Sequence, residues 1–155
     1  MIINKEKPMT TINTLQTKLS SRYDEFDPEQ DGNKNTKFAD LIIDGRSLCQ
    51  MLKKHDMVPS LGWGSEDHQK EMIQYFLLKK PHEHMYYRYP ILVWPWCGDE
   101  ECGYISVKID REEEIVIWKD FKLEHENKSI NLGPFYFEWT NYERVTNNTF
   151  RIIEK

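Results

Sequence analysis

Long apolar runs are missing from this sequence. No stretch approaches the roughly 18 uncharged apolar residues that a membrane span requires. The opening residues, MIINKEKPMT, have no long apolar run followed by a small-residue cleavage site, so they do not read as a secretory signal. Cysteine is scarce: Cys49, Cys97 and Cys102 are an odd set that cannot all pair within one chain, which excludes a disulfide-stapled mini-protein. A reducing cytoplasm is the expected location. Glycine and proline, seven each, are too few for a collagen-like or linker-like chain. Positive charge is also short, with 21 Lys and Arg against 26 Asp and Glu and a net charge of −5, which excludes a strongly basic nucleic-acid binder.

What remains is one ordinary core. A chain of 155 residues and 18.7 kDa should bury roughly 70% of its unfolded surface, too little chain for two full-size domains. Apolar residues are a modest 39%, but five Trp, eight Tyr and seven Phe mean that large rings fill the core.

Residues 1–37 read as an N-terminal extension. Ile12, Leu15 and Leu19 have i, i+3, i+7 spacing, which predicts a short amphipathic helix over 11–22, followed by the polar loop RYDEFDPEQDGNKNTK. Residues 38–155 read as a single α+β domain. FADLIID predicts a strand ended by Asp44-Gly45. Ser47 and Gln50 have capping-box spacing before a short helix over 47–55. Ser65 caps a better helix over 66–79, with Met72, Ile73, Phe76 and Leu77 on its buried face and Lys79 and Lys80 in its last turn. From Tyr89 onward the period changes from 3.6 to 2. Residues 89–94, 104–109, 115–118 and 135–137 read as strands, the middle two forming a hairpin around the turn DREEE, and a last short helix starts near Trp139. Helices first and a strand meander after is the α+β pattern: an antiparallel sheet from the C-terminal half with two or three helices packed on one face.

The charge is unevenly placed. Residues 99–126 hold ten acids and four bases, net −6, so the rest of the chain is net +1. A field of that sign repels phosphates and attracts basic surfaces, whereas a plain solubilising face is the simpler account. Candidate partner-binding residues are Asp99, Glu100, Glu101, Asp110, Glu112, Glu113, Glu114 and Trp96.

The segment WPWCGDEECGY offers the alternative chemistry. Cys97 and Cys102 flank three acids, which raise thiol pKa and work against a nucleophile; the C-x-x-C redox spacing is absent. With His82 and His84 the pair would complete a Cys2His2 zinc set, but H-x-H followed by C-x4-C matches no standard zinc motif. Two small buried hydrophobes beside a turn is the plainer reading. Asp27, Glu29, Asp31 and Gly32 imitate the start of a calcium loop, yet its twelfth position is Phe38, where a bidentate Glu is needed. Asp44, Arg46 and Asp56 read as caps and tethers of the first helix. Trp63, Trp94, Trp96 and Trp118 read as core filling more readily than as an aromatic binding surface. No cofactor motif is present, and no metal or cofactor is expected.

The segments LGWGS (61–65), CGDEECG (97–103), VIWKDF (116–121) and LGPFYF (132–137) stand in an order that resembles a family of small bacterial cytoplasmic proteins, over about residues 38–146. Members of that family are sometimes labelled oxidoreductases, so the resemblance implies a redox or zinc centre at Cys97 and Cys102 as one reading. Small acidic proteins of this kind are also similar to the immunity proteins that neutralise bacterial toxins. The expectation is therefore a cytoplasmic protein-binding inhibitor that engages a basic protein partner, a toxin or defence factor, through its acidic surface.

Overall fold

Alternation along residues 104–123 places a long hairpin at the centre of the protein. The computed structural model describes residues 11–21, 37–80, 88–94 and 103–152. Among these, a three-stranded antiparallel sheet is formed by β1 (Leu15–Ser21), β2 (Lys37–Ile43) and β3 (Arg46–Ser47). A six-stranded antiparallel sheet contains β4 (Val58–Pro59), β5 (Arg88–Val93), β6 (Tyr104–Glu112), β7 (Ile115–Leu123), β8 (Lys128–Ser129) and β9 (Phe135–Glu138). Its order is β4-β5-β6-β7-β8, and β9 also pairs with β7. The helices are α1 (Leu48–Met51), α2 (Glu66–Phe76) and α3 (Trp139–Asn148). The protein is thus a single α+β domain, as expected.

The segment before β2 corrects the sequence reading. The helix expected over 11–22 is the strand β1, which pairs antiparallel with β2 from Leu15↔Ile43 to Ser21↔Lys37. The helical spacing rested on three residues that do not share one buried face: Leu15 is buried, while Ile12 and Leu19 are exposed. The intervening Thr and Ser are weak helix formers, and the strand satisfies their backbone through β2. Asp44 and Gly45, at φ 53 and 82, make the two-residue turn from β2 to β3. The Asp44 carboxylate accepts from the Thr14 N–H at 2.8 Å and from Asn13 Nδ2 at 2.6 Å. These bonds hold its pKa below the ordinary carboxylate value.

Both predicted helices are shorter than their patterns. The first is α1, capped by Ser47, followed by a 3-10 turn at Lys53–His55. The second, capped by Ser65 as expected, ends at Phe76. Leu78 takes the left-handed position at φ 59, and the Lys79 N–H bonds back to the Gln74 carbonyl. That closes the helix in a Schellman motif with leucine where glycine is usual. Lys79 and Lys80 therefore lie beyond the last turn; Lys80 instead pairs with Glu71 at 2.9 Å.

The core joins α2, α3 and the inner face of the larger sheet. Trp118 is fully buried, with edge-on ring contacts to Phe76, Phe137 and Tyr142 at 4.9–6.0 Å. Its indole N–H donates to the Tyr142 hydroxyl at 3.1 Å, and that hydroxyl donates to the Phe76 carbonyl at 2.7 Å. Burial pushes the Tyr142 phenol far above its ordinary pKa, so it stays protonated.

Gly62, in the turn between β4 and α2, has φ +74. A Cβ there would stand 2.7 Å from the Thr149 carbonyl and 3.0 Å from the Ala39 Cβ.

Tyr142→Phe strands two buried groups while keeping the ring, and should cost about 1–3 kcal/mol in chemical denaturation. Gly62→Ala should also lower the denaturation midpoint, because it combines left-handed strain with a clash against main chain. A wild-type midpoint in either variant would contradict the packing described.

Candidate functional site

The pleat of the β6–β7 hairpin separates residues that are adjacent in sequence. Cross-strand partners share a face, so Ile109 and Trp118 point to the core; Arg111 and Val116 share that face, Val116 buried and Arg111 exposed at its margin. Lys108 and Lys119, Asp110 and Ile117, and Glu112 and Ile115 share the opposite, outer face. The register shifts between Ser106 and Lys108, where Asp120 at φ 56 sits as the extra residue of a bulge on β7.

The acidic segment is less uniform than its sequence implies. Asp110 pairs with Lys119 at 2.9 Å, which raises the lysine pKa. Glu124 accepts from the Ser106 hydroxyl at 2.6 Å and lies 3.9 Å from both Arg88 and Lys122. Arg88 reaches across β6 and donates through both terminal nitrogens to the Asp120 carbonyl. Asp110 and Glu124 are therefore compensated locally.

The turn is different. β6 runs further than expected, to Glu112, and β7 starts at Ile115 as expected, so only Glu113 and Glu114 form the turn. Glu113 is left-handed at φ 58. Arg111 donates to the Glu113 carbonyl at 2.7 Å, and its guanidinium lies 3.8 Å from the centre of the Trp139 ring. It stands 3.9 Å from Glu114, whose side chain remains 71% exposed. The Glu114 carbonyl accepts from the Trp139 N–H at 2.7 Å, anchoring the turn on the start of α3. Glu112, Glu113 and Glu114 are all exposed.

Of the predicted partner-binding residues, Asp110, Glu112, Glu113 and Glu114 come together at this hairpin end. Asp99, Glu100, Glu101 and Trp96 lie outside the described residues, as do Cys97, Cys102, His82, His84 and the calcium-like Asp27, Glu29 and Asp31. Among the described residues no group of three His, Cys, Asp or Glu side chains stands close enough to hold a metal ion. Cys49 is packed with its sulfur 3.5 Å from the Met57 carbonyl, and burial pushes its thiol well above the ordinary value. Such a thiol is a poor nucleophile. Trp118 is core, and Trp63 and Trp94 are half-buried.

The sequence reading missed a cleft of about 960 Å³ beside the outer face of β7, walled by the chain from Asn127 to Tyr136. Its charged lining comprises Arg88, Lys119, Lys122, Glu112 and Asp120. The available signal was the alternation of IVIWKDFKL, which puts Ile117, Lys119 and, past the bulge, Lys122 on one side.

No family model matches the chain, and no curated protein or solved structure matches it.

A second polar cluster is formed by the strands of the smaller sheet. Asp40 is buried, accepting from Ser47 Oγ at 2.8 Å and more distantly from Ser20 Oγ at 3.4 Å. Desolvation raises its pKa above the ordinary 3.8, against the lowering effect of these hydroxyls. The folded state then binds this proton more tightly than the unfolded chain. This contribution to stability is full below about pH 3.8 and is lost as pH rises through the raised folded pKa. Asp40→Asn, which can accept from Ser47 and donate to Ser20, should remove that dependence. Its stability relative to wild type should increase from acid to neutral pH in paired denaturation curves. Parallel curves would contradict the desolvation account.

Proposed function

We propose that this chain is a cytoplasmic protein-binding inhibitor of the immunity-protein kind, engaging a basic protein partner through the Glu112–Glu113–Glu114 end of the β6–β7 hairpin. The observation that carries the reading is the turn itself. A two-residue hairpin turn with φ > 0 normally takes Gly, Asn or Asp, and the left-handed position costs a side-chain-bearing residue about 1–2 kcal/mol. Here it is Glu113, with Glu112 and Glu114 on either side. Arg111, the base within the turn sequence, is drawn sideways onto Trp139 and the Glu113 carbonyl. Three exposed carboxylates are thereby presented at the end of two nine-residue strands, on a backbone fixed by β7, β9 and α3. Rigid presentation of like charge favours rapid, salt-sensitive encounter with an opposite charge. A partner's lysines or arginines would also relieve the mutual repulsion of the three carboxylates.

The test uses the full chain and a lysine-rich peptide as the basic probe. Amide shifts in an NMR titration should concentrate at residues 110–115 and weaken as salt is added. Reversing Glu112, Glu113 and Glu114 to Lys should leave the denaturation midpoint near wild type and slow association by at least about tenfold at low salt. Shifts spread evenly over all acidic positions, or association unchanged in the triple variant, would reduce the turn to ordinary solvated surface.

A further inference from the structure

The cleft on the outer face lies along the same hairpin but offers different chemistry from its turn. Three cationic side chains line it against two acidic ones, in a chain whose net charge is −5. Two of the cations are committed: Lys119 to Asp110, and Arg88 to the Asp120 carbonyl. Lys122 is not. Its nearest carboxylate oxygen, on Glu124, is 3.9 Å away, beyond hydrogen-bond reach, and the other Glu124 oxygen is occupied by Ser106. Ser129 is the register partner of Lys122, so its hydroxyl and the ammonium rise from the same side of the sheet. Asn131 adds an amide to the same wall. This end of the cleft holds donors with a fixed positive neighbour in Arg88, an arrangement suited to an oxygen-rich anion.

The other end is different. Ile117 and Tyr136 are register partners on the outer face; Ile117 is largely buried, so the half-buried Tyr136 ring supplies most of the apolar surface next to Pro134. Five positions of β7, including the bulge, separate Ile117 from Lys122, roughly 15 Å of strand. A volume of about 960 Å³ is at the upper end of the range for organic ligands and far larger than a lone phosphate or sulfate needs. Glu112 closes the end nearest the turn and can accept from a donor on a ring.

Anion donors at one end, a ring-sized apolar floor in the middle and an acceptor beyond it match one class of molecule. We propose that this cleft binds a nucleoside phosphate, with the phosphates at Lys122, Ser129 and Asn131 and the base against Tyr136 and Ile117. Arg88 is a positioning residue whose charge faces the phosphates while its hydrogen bonds hold the Asp120 bulge in place.

Calorimetric titration of the full chain at low salt would use ADP, GDP, CDP and UDP, with adenosine and inorganic pyrophosphate as the two halves of the ligand. At least one diphosphate should bind saturably and more tightly than either half. Lys122→Gln should weaken that nucleotide about tenfold, the value of one charge-assisted hydrogen bond, and Lys122→Arg should retain most of the affinity. Tyr136→Ala should weaken the nucleotide while leaving pyrophosphate unchanged. No saturable binding of any of the four at millimolar concentration would overturn the assignment. So would pyrophosphate binding as tightly as the best nucleotide, or a Lys122→Gln variant of wild-type affinity and wild-type denaturation midpoint. The lysine-peptide titration shares only Glu112 with this cleft, and the Lys122 and Tyr136 variants do not touch the turn, so failure of either leaves the other standing.

Discussion

The contact among Trp118, Tyr142 and Phe76 carries the architecture. Trp118 comes from the middle of β7, Tyr142 from α3 and Phe76 from the end of α2, and two consecutive hydrogen bonds join them inside the core. The Phe76 carbonyl is at the last residue of α2, where a helix has acceptors without intrahelical donors. The Tyr142 hydroxyl satisfies that orphan group while accepting from the buried indole, so one phenol removes two liabilities. Because β7 also pairs with β6, β8 and β9, fixing Trp118 fixes the strand from which both the hairpin turn and the outer cleft are built. In a chain with few aliphatics, edge-on ring contacts at 4.9–6.0 Å give the core its shape as well as its burial.

Two long-range ties close the fold around that centre. Asn13 donates its backbone N–H to the Tyr136 carbonyl at 2.7 Å and accepts the Tyr136 N–H through its side chain at 2.8 Å. The outer edge of β9 is thus covered by the chain leading into β1, and an edge that would otherwise be an open template is satisfied. At the opposite end of the sequence, the Thr149 carbonyl fills the space that a side chain at position 62 would need. The turn before α2 and the end of α3 approach each other only because position 62 is glycine.

The sequence was legible where burial imposed a period. Strands β5, β6, β7 and β9, the Ser47 and Ser65 caps and the start of α3 follow from apolar runs, alternation, turn residues, capping chemistry or helical spacing. It misled where few residues carried the pattern. Ile12, Leu15 and Leu19 imitate a helix, and only the pairing with β2, from Leu15↔Ile43 to Ser21↔Lys37, decides for a strand. The end of α2 was hidden because Leu78 occupies a left-handed position normally marked by glycine. Three of the segments that suggested a family are explained by geometry, and the fourth, at 97–103, lies almost wholly outside the described residues. Gly62 meets Thr149, Ser65 caps α2, Trp118 and Phe121 are buried, Asp120 forms the bulge and Gly133 packs on the Phe121 ring. These residues specify a fold and are silent on chemistry.

The candidate site was half legible for a related reason. Counting charge along residues 99–126 treats neighbours in sequence as neighbours in space, whereas a strand sends them to opposite faces. Arg111 and Glu112 are adjacent in the chain, yet one lies on the Trp139 ring and the other lines the outer cleft. Lys108 and Lys119 are eleven positions apart and face each other. Local pairing offsets Asp110 and Glu124, so among the described residues of the hairpin the exposed acids gather at Glu112, Glu113 and Glu114. The same pairing leaves Lys122 with only a distant carboxylate on the outer face. A segment of net −6 thus presents a concentrated negative end and, a few residues along the same strand, a cation held only by a long ion pair. Both follow from a pleat of period two and a single bulge at Asp120, which shifts Lys122 onto the face of Lys119.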